Sequence, residues 1–495
     1  MTKTLRIALV VATGVCMSLF QRSEALQSTT MIRSLSQLQS SSIDSPLYSM
    51  RLDMKQGAGD ESLTKRTLGL SAASIADDWA IEGNSILPDG GFLKDSILPV
   101  VSTALLITGN TIGAGMLVLP DLAAGPGMGL STAIFVGAFI MNLLSGLVIA
   151  EVAINQHDSS GSDVPSSFKE FAEASLNSSS AANVIAGISV FVNALVYAFN
   201  FAKVGEVGAA TFSGVSEEVV SMAWAAGCVA LAATQSFSSL SNITSLFVTG
   251  LFVSFAGLLL PGLAHMADPM TVLMTPGTSP DVVASAGSLA PVVLMSLIYQ
   301  NIVPTVTKIL NYDRTKTTIA LSLGSFIPLL MYLGWTFAVL GHGVDTSVGM
   351  DGPLMTIFSL STIAGSSIGC QMSLSEEFDT FFKSKEDRNE DVAKSDTFSI
   401  PAVLASIAVT VVAGNFFADD LTATLKVAGS FGSPLLYGAI PVAMAYTQRK
   451  EQANNSRNLL PGGMGSLGFL GASATGFLGC EVFQGLGDMM TSIPI

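Results

Sequence analysis

Gly109-Asn110-Thr111-Ile112-Gly113-Ala114-Gly115 puts three glycines, an amide and a hydroxyl into seven residues of an otherwise apolar run. Small residues alone would serve helix–helix packing, but packing does not ask for Asn110 and Thr111 beside them. The pattern predicts an unwound membrane helix. Its free amides and carbonyls each cost several kcal/mol in hydrocarbon unless something polar binds them, and a charged ligand is such a partner. A second interruption, Tyr299-Gln300-Asn301-Ile302-Val303-Pro304, sets polar side chains and a proline in another apolar run. Proline removes a donor and clashes with the preceding turn; a simple kink is the alternative reading. Charges inside apolar runs form the next set. One at a helix centre costs roughly 2.5–3.5 kcal/mol and tends to face a cavity or a partner. Lys203 and Glu206 are spaced to pair on one helix face, for ion coupling or only to stabilise the helix. Glu151 either joins an ion-coupling set or, followed by Asn155, Gln156 and His157, ends its helix in water. Lys426 is placed to substitute for a coupling cation.

These residues need membrane helices to position them. Apolar runs predict eleven spans, at 98–121, 127–154, 182–212, 218–235, 241–264, 284–310, 316–341, 353–378, 399–417, 421–447 and 464–487. Outside the spans, basic residues from Lys94 onward fall on one side: Lys94, Lys169, Lys308, Arg314, Lys316, Lys383, Lys385, Arg388, Lys394, Arg449, Lys450 and Arg457. Intervening loops carry acids instead. This segregation predicts eleven crossings and a non-translocated N-terminus. The two interruptions then lie five spans apart. Matching breaks in two halves point to a 5+5 inverted repeat, with broken helices 1 and 6, one extra helix and a binding site at the midplane.

Gly109-Asn110-Thr111-Ile112-Gly113-Ala114-Gly115-Met116 followed by Leu119-Pro120 resembles the first-helix signature of the hydroxy/aromatic amino acid permease family. The likeness continues through Ala150-Glu151-Val152, Ala202 to Glu206, Tyr299 to Lys308, Asp313-Arg314, Ile327 to Leu330, Ala428-Gly429 with Gly432, and Leu460 to Gly463. It covers 98–487. The resemblance implies an all-α polytopic fold of the amino acid–polyamine–organocation superfamily and proton-coupled uptake of an aromatic amino acid.

For a zwitterionic substrate, the half-helix after the first break offers amides and a positive dipole end to the carboxylate. Gly113, Ala114 and Gly115 let the backbone approach closely. Carbonyls of the unwound segments, with Asn110 and Tyr299, are placed to take the ammonium group, and Gly109, Thr111, Gln300 and Asn301 complete the expected polar site. Tyr197, Phe199 and Phe358 are available as walls for an aromatic ring. Ser361 and Thr362 stand on the helix whose hydroxyls help bind an ion in sodium-coupled relatives of this fold; such hydroxyls also commonly bond their own i−4 carbonyls. A proton is the expected coupling ion and sodium stays open. Rival readings are a broader neutral amino acid carrier and a non-transporting amino acid sensor.

Composition excludes other classes. Charged residues make up 12% of the 495-residue chain and hydrophobic ones 49%, against about 25% charged in soluble proteins. A formal charge of −15 argues against nucleic acid. His157, His265 and His342 do not support a His-based triad or metal site, and no nucleotide-binding loop is present, so no cofactor is expected and an enzyme is disfavoured. Cys228, Cys370 and Cys480 fall in apolar runs and read as buried small hydrophobes. Lys3 and Arg6 before an apolar stretch at 7–20, then Ser23-Glu24-Ala25, predict a signal peptide over 1–25. A Ser-rich transit-peptide-like segment follows over 26–55, then a polar linker over 56–97, the membrane domain over 98–487 and a tail over 488–495. The leader resembles the bipartite presequence of algae with complex plastids, which implies a plastid membrane, the inner envelope foremost. A plain secretory signal, with a plasma-membrane or endomembrane destination, is the alternative.

Overall fold

The computed structural model describes residues 97–161, 167–212, 214–235, 237–265, 268–341, 353–382, 398–416, 422–451 and 458–491. The expected signal peptide and transit-like segment, the linker up to residue 96 and His342 lie outside the described residues. The described chain is helical throughout, and eleven apolar segments follow one another in the order expected. The first is split into α1 (Leu98–Thr111) and α2 (Leu119–Ala124), and α3 (Met128–Ser160) is the second. A connecting helix, α4 (Phe168–Leu176), precedes α5 (Ser179–Thr211), α6 (Glu217–Thr234) and α7 (Phe237–His265). After the short α8 (Pro269–Met274), the sixth segment is again split, into α9 (Val282–Ser296) and α10 (Val303–Ile309). Then come α11 (Arg314–Leu340), α12 (Pro353–Phe382) and α13 (Ile400–Phe416). The tenth segment is α14 (Thr422–Val427) and α15 (Ile440–Glu451) with a π-wound middle, and α16 (Gly463–Thr491) is the last.

Nine of these segments are long and apolar enough to cross a bilayer; α1 and α13 are shorter apolar helices. Large apolar side chains such as Leu246, Val253, Phe469 and Phe483 point outward, as a lipid-facing surface requires and a soluble one of this extent does not tolerate. The chain is an integral membrane protein.

Both breaks share one construction. After α1, Ile112 and Gly113 are extended, Ala114–Leu117 forms a 3-10 turn, and α2 starts with Pro120 in its first turn. After α9, the chain leaves the helix at Leu297, Gln300–Ile302 forms a 3-10 turn, and α10 starts with Pro304 in its first turn. Pro304 is therefore not a mid-helix kink. It sits where a missing amide costs nothing and the fixed φ helps the helix start. The tenth segment is helical as expected, with its turns over Ala428–Gly432 and Pro434–Ala439 widened to π-helix. Gly429 there lies on the Pro291 carbonyl so closely that a methyl group would overlap it.

Local signals end and begin the other helices. Asn177 closes α4 in a left-handed conformation, and Ser178 caps α5 by accepting from Ala181 N at 3.3 Å. Asp281 caps α9 and Asp313 caps α11, accepting amides at 3.0 and 2.8 Å. Arg314 then donates to Asn155 Oδ1 at 2.8 Å and Asp158 Oδ2 at 3.1 Å, tying the start of α11 to the end of α3. In the packing, α12 lies against α5, α7 and α13, while α11 lies against α1 and α3. The two breaks sit between these groups.

Candidate functional site

The breaks enclose a cavity of about 80 Å³. Its polar wall begins with the backbone. Met116 N bonds Gly113 O and Val118 N bonds Gly115 O. This register leaves the amides of Gly113, Ala114 and Gly115 with no backbone acceptor among the described residues. These are the orphan donors that any helix start carries; the Gly113 amide meets the Tyr332 hydroxyl, and all three residues line the cavity. The side chains add acceptors. Asn200 on α5 donates to Ser366 Oγ at 2.9 Å, and its own Oδ1 is buried with no partner among the described residues. Ser296 Oγ, at the end of α9, is likewise buried and unpartnered. Unpartnered donors and acceptors around one cavity suit a ligand bearing both charges.

Two bridges hold the breaks together. Asn110 Nδ2 donates to Asn301 Oδ1 at 3.0 Å. Tyr332 of α11 places its hydroxyl 3.0 Å from both Thr111 O and Ser296 O, one carbonyl from each break.

Of the residues expected at the site, Asn110, Thr111, Gly113, Ala114, Gly115, Phe199 and Asn301 line the cavity. The others lie elsewhere. Gly109 turns toward Val248 on α7. Tyr299 runs under Gly146, with its hydroxyl donating to Asn142 O at 3.3 Å. Gln300 closes a local network, donating to Asn142 Oδ1 at 2.7 Å and accepting from Tyr299 N at 2.9 Å. Tyr197 donates to Gln371 Oε1 at 2.9 Å and packs on Phe201. It cannot share a face with Phe199, because positions two apart on an α-helix point nearly opposite ways. Phe358 is packed between Phe255 and Trp335. Sequence reasoning missed Asn193, Asn200, Ser296, Tyr332 and Tyr437, which line the cavity together with Ser366. A signal existed for the first two: Asn193, Val196 and Asn200 recur at helical spacing along one face of α5.

Comparison with known proteins fits this architecture. The tryptophan/tyrosine permease family model matches residues 98–348 and 343–472. The chain belongs to this family. A tryptophan-specific transport protein of Pseudomonas aeruginosa is 30% identical over 48% of the chain and 56% of its own length. A tyrosine-specific transport system of Haemophilus influenzae is 28% identical over 49% of the chain and 57% of its own length. The match thus spans a little over half of each of these relatives. A Shigella flexneri tryptophan-specific transport protein is 25% identical over 70% of the chain and 86% of its own length. The solved structure of an Eremococcus coleocola manganese transporter superposes with a TM-score of 0.53 at 11% identity, covering 81% of the chain and 90% of that protein, which shows a shared fold.

The charged and hydroxyl residues expected to couple an ion are not gathered at this family member's cavity. Glu151 does not end its helix in water. It is fully buried, takes Arg449 Nε at 2.6 Å and Nη2 at 2.8 Å, and accepts the amides of Leu459 and Leu460 at 2.7 and 3.1 Å. Arg449 also donates to Gly463 O at 2.6 Å, so the pair fastens α3, α15 and the turn before α16. Lys203 and Glu206 pair at 2.5 Å along α5 with Glu206 39% exposed. Lys426 is half-buried on α14 and has no ion pair among the described residues. Thr362 donates to Phe358 O at 2.6 Å, and Ser361 lies against Gly250. The α12 hydroxyl that reaches the first break is Ser366. Cys228 and Cys370 are buried, whereas Cys480 is exposed on α16.

Proposed function

We propose that this permease-family protein carries an aromatic amino acid across a membrane by alternating access, driven by a proton. One observation carries the reading. The cavity between two broken helices combines amides at Ala114 and Gly115 that have no partner among the described residues with unpartnered acceptors at Asn200 and Ser296, while the Gly113 amide meets the Tyr332 hydroxyl. A zwitterion satisfies both sets at once, its carboxylate at the half-helix start and its ammonium at the carbonyls and amide oxygens. Tyrosine and tryptophan are the proposed cargo, supported by the names of the relatives, and Phe199 is the aromatic wall that lines the void. An inverted repeat of five plus five spans is the proposed frame for the movement, supported by the matched breaks. Family membership favours a carrier over an enzyme. A plastid membrane, the inner envelope foremost, is the proposed location, supported by the leader's composition.

Uptake by the purified protein in proteoliposomes tests the reading, with tyrosine, tryptophan, phenylalanine, serine and leucine as competitors. Accumulation of tyrosine or tryptophan under an imposed pH gradient is expected. Binding without flux would leave a sensor, and flux driven only by sodium would replace the coupling ion.

A further inference from the structure

Two carboxylates are buried among the described residues, Glu151 and Glu377. Glu151 faces Arg449. Glu377, on α12, takes hydrogen bonds from neutral donors, Phe168 N at 3.0 Å and Ser189 Oγ at 3.4 Å to Oε1, and Ser167 Oγ at 3.3 Å to Oε2, with Lys169 acting on it only through its charge. No cation makes an ion pair with it among the described residues. A buried charge with no counter-charge in contact is disfavoured, and an ionisable side chain inside a membrane domain marks a proton or ion pathway by default.

The position of Glu377 links it to the cavity. Its carboxylate holds the start of α4, the helix between the second and third spans, by the Phe168 amide and the Ser167 hydroxyl. The Phe168 ring packs edge-on against Tyr437, with centroids 5.6 Å apart at 80°. Tyr437 lines the cavity. One residue, Phe168, therefore touches the cavity wall with its ring and the buried carboxylate with its backbone.

We propose that Glu377 is the proton-binding residue of the transport cycle, and that its protonation releases the start of α4 and, through Phe168, the Tyr437 wall. This rests on the reading of the protein as a proton-coupled carrier. One proton binds and one leaves per cycle, with no other bond changed. The ionised form accepts all three donors. The neutral form carries a hydrogen on one oxygen and loses part of that grip on α4.

Other ionisable groups near Glu377 are few. Glu376 and Asp379 share its helix, and Asp379 is engaged by the Ser399 hydroxyl and amide. From α4 come Lys169, whose ammonium sits 4.3 Å over the Phe381 ring, and beyond it Glu170 and Glu173. Tyr437 faces it from the tenth span, with Cys370 further along α12. The α5 face contributes Ser189, and Lys203 and Glu206 lie about 20 Å further along that helix. The α13 helix carries no ionisable side chain.

The test uses the full chain in proteoliposomes, comparing accumulation under an inside-alkaline gradient with tyrosine or tryptophan counterflow in its absence. Glu377→Gln is expected to lose gradient-driven accumulation and still exchange substrate. Accumulation equal to that of the wild type overturns the assignment to Glu377. A wild type indifferent to the pH gradient overturns proton coupling itself, a separate readout that takes this proposal with it. If Glu377→Gln does not exchange either, Ser189→Ala decides. Removing a donor to the charged form is expected to move the pH midpoint of uptake in the alkaline direction, and an unmoved midpoint overturns the proposal.

Discussion

Asn110 Nδ2 and Asn301 Oδ1 meet at 3.0 Å, joining the two broken helices by side chains 191 positions apart. Neither helix can shift at its break without the other unless this bond opens. Asn110→Ala and Asn301→Ala should each weaken substrate binding, and the double variant should cost less than their sum. A coupling of about 0.5–3 kcal/mol is expected for residues in direct contact. Dissociation constants for the four members of the cycle measure it, and strictly additive losses would show that each side chain acts alone.

Tyr332 offers one hydroxyl proton to two carbonyls, Thr111 O and Ser296 O. Phenylalanine at this position leaves both carbonyls buried without that donor. The cost of one unmade buried hydrogen bond is about 1–3 kcal/mol. Tyr332→Phe should lower the thermal midpoint in detergent and slow uptake, and added substrate should recover part of the midpoint by binding across the loosened breaks.

Removing one partner from a buried ion pair costs about 3–5 kcal/mol, because the remaining charge is left without compensation. Glu151→Gln or Arg449→Met should therefore reduce the yield of folded protein sharply. A Glu151→Leu/Arg449→Met double variant should recover part of it. Full recovery is not expected, because the Leu459 and Leu460 amides and the Gly463 carbonyl also lose their partners. Size-exclusion profiles and thermal midpoints of the three variants separate these outcomes.

The Lys203–Glu206 pair lies along one helix, with Glu206 over a third exposed. Pairs of this kind are worth about 0.2–0.5 kcal/mol. Lys203→Met should leave the thermal midpoint almost unmoved. Its gradient-driven uptake should also match the wild type, since the pair does not line the cavity, and a loss of pH dependence would place the lysine in the coupling route after all.

The breaks were legible because their causes are local. Glycine, asparagine and a first-turn proline disfavour a continuous helix whatever surrounds them. The role of Pro304 was not, since a proline in the first turn and one at a kink look alike until the helix start is located. Which aromatic residues reach the void depends on helix rotation, and Tyr197 and Phe199 could not both do so. Arg449 lies 298 positions from Glu151, and the partners of Glu377 lie 188 to 210 positions from it, on elements that only tertiary packing brings together. Periodicity does mark Asn193 and Asn200, which fall with Val196 on one face of α5.

Gly113 is extended, with φ −127° and ψ −178°, a conformation open to any residue. Its requirement for glycine therefore comes from space. A β-carbon there would stand 3.1 Å from Ser366 Oγ, the atom that Asn200 holds. Alanine needs that hydroxyl to move by a few tenths of an ångström, so Gly113→Ala should weaken binding and keep measurable uptake. Leucine would extend into a cavity of about 80 Å³, between the Ala114 and Gly115 amides and the acceptors Asn200 and Ser296. Gly113→Leu should abolish both binding and uptake while the protein still inserts and elutes as a monodisperse species. Normal affinity in the leucine variant would mean that substrate is held elsewhere in the molecule.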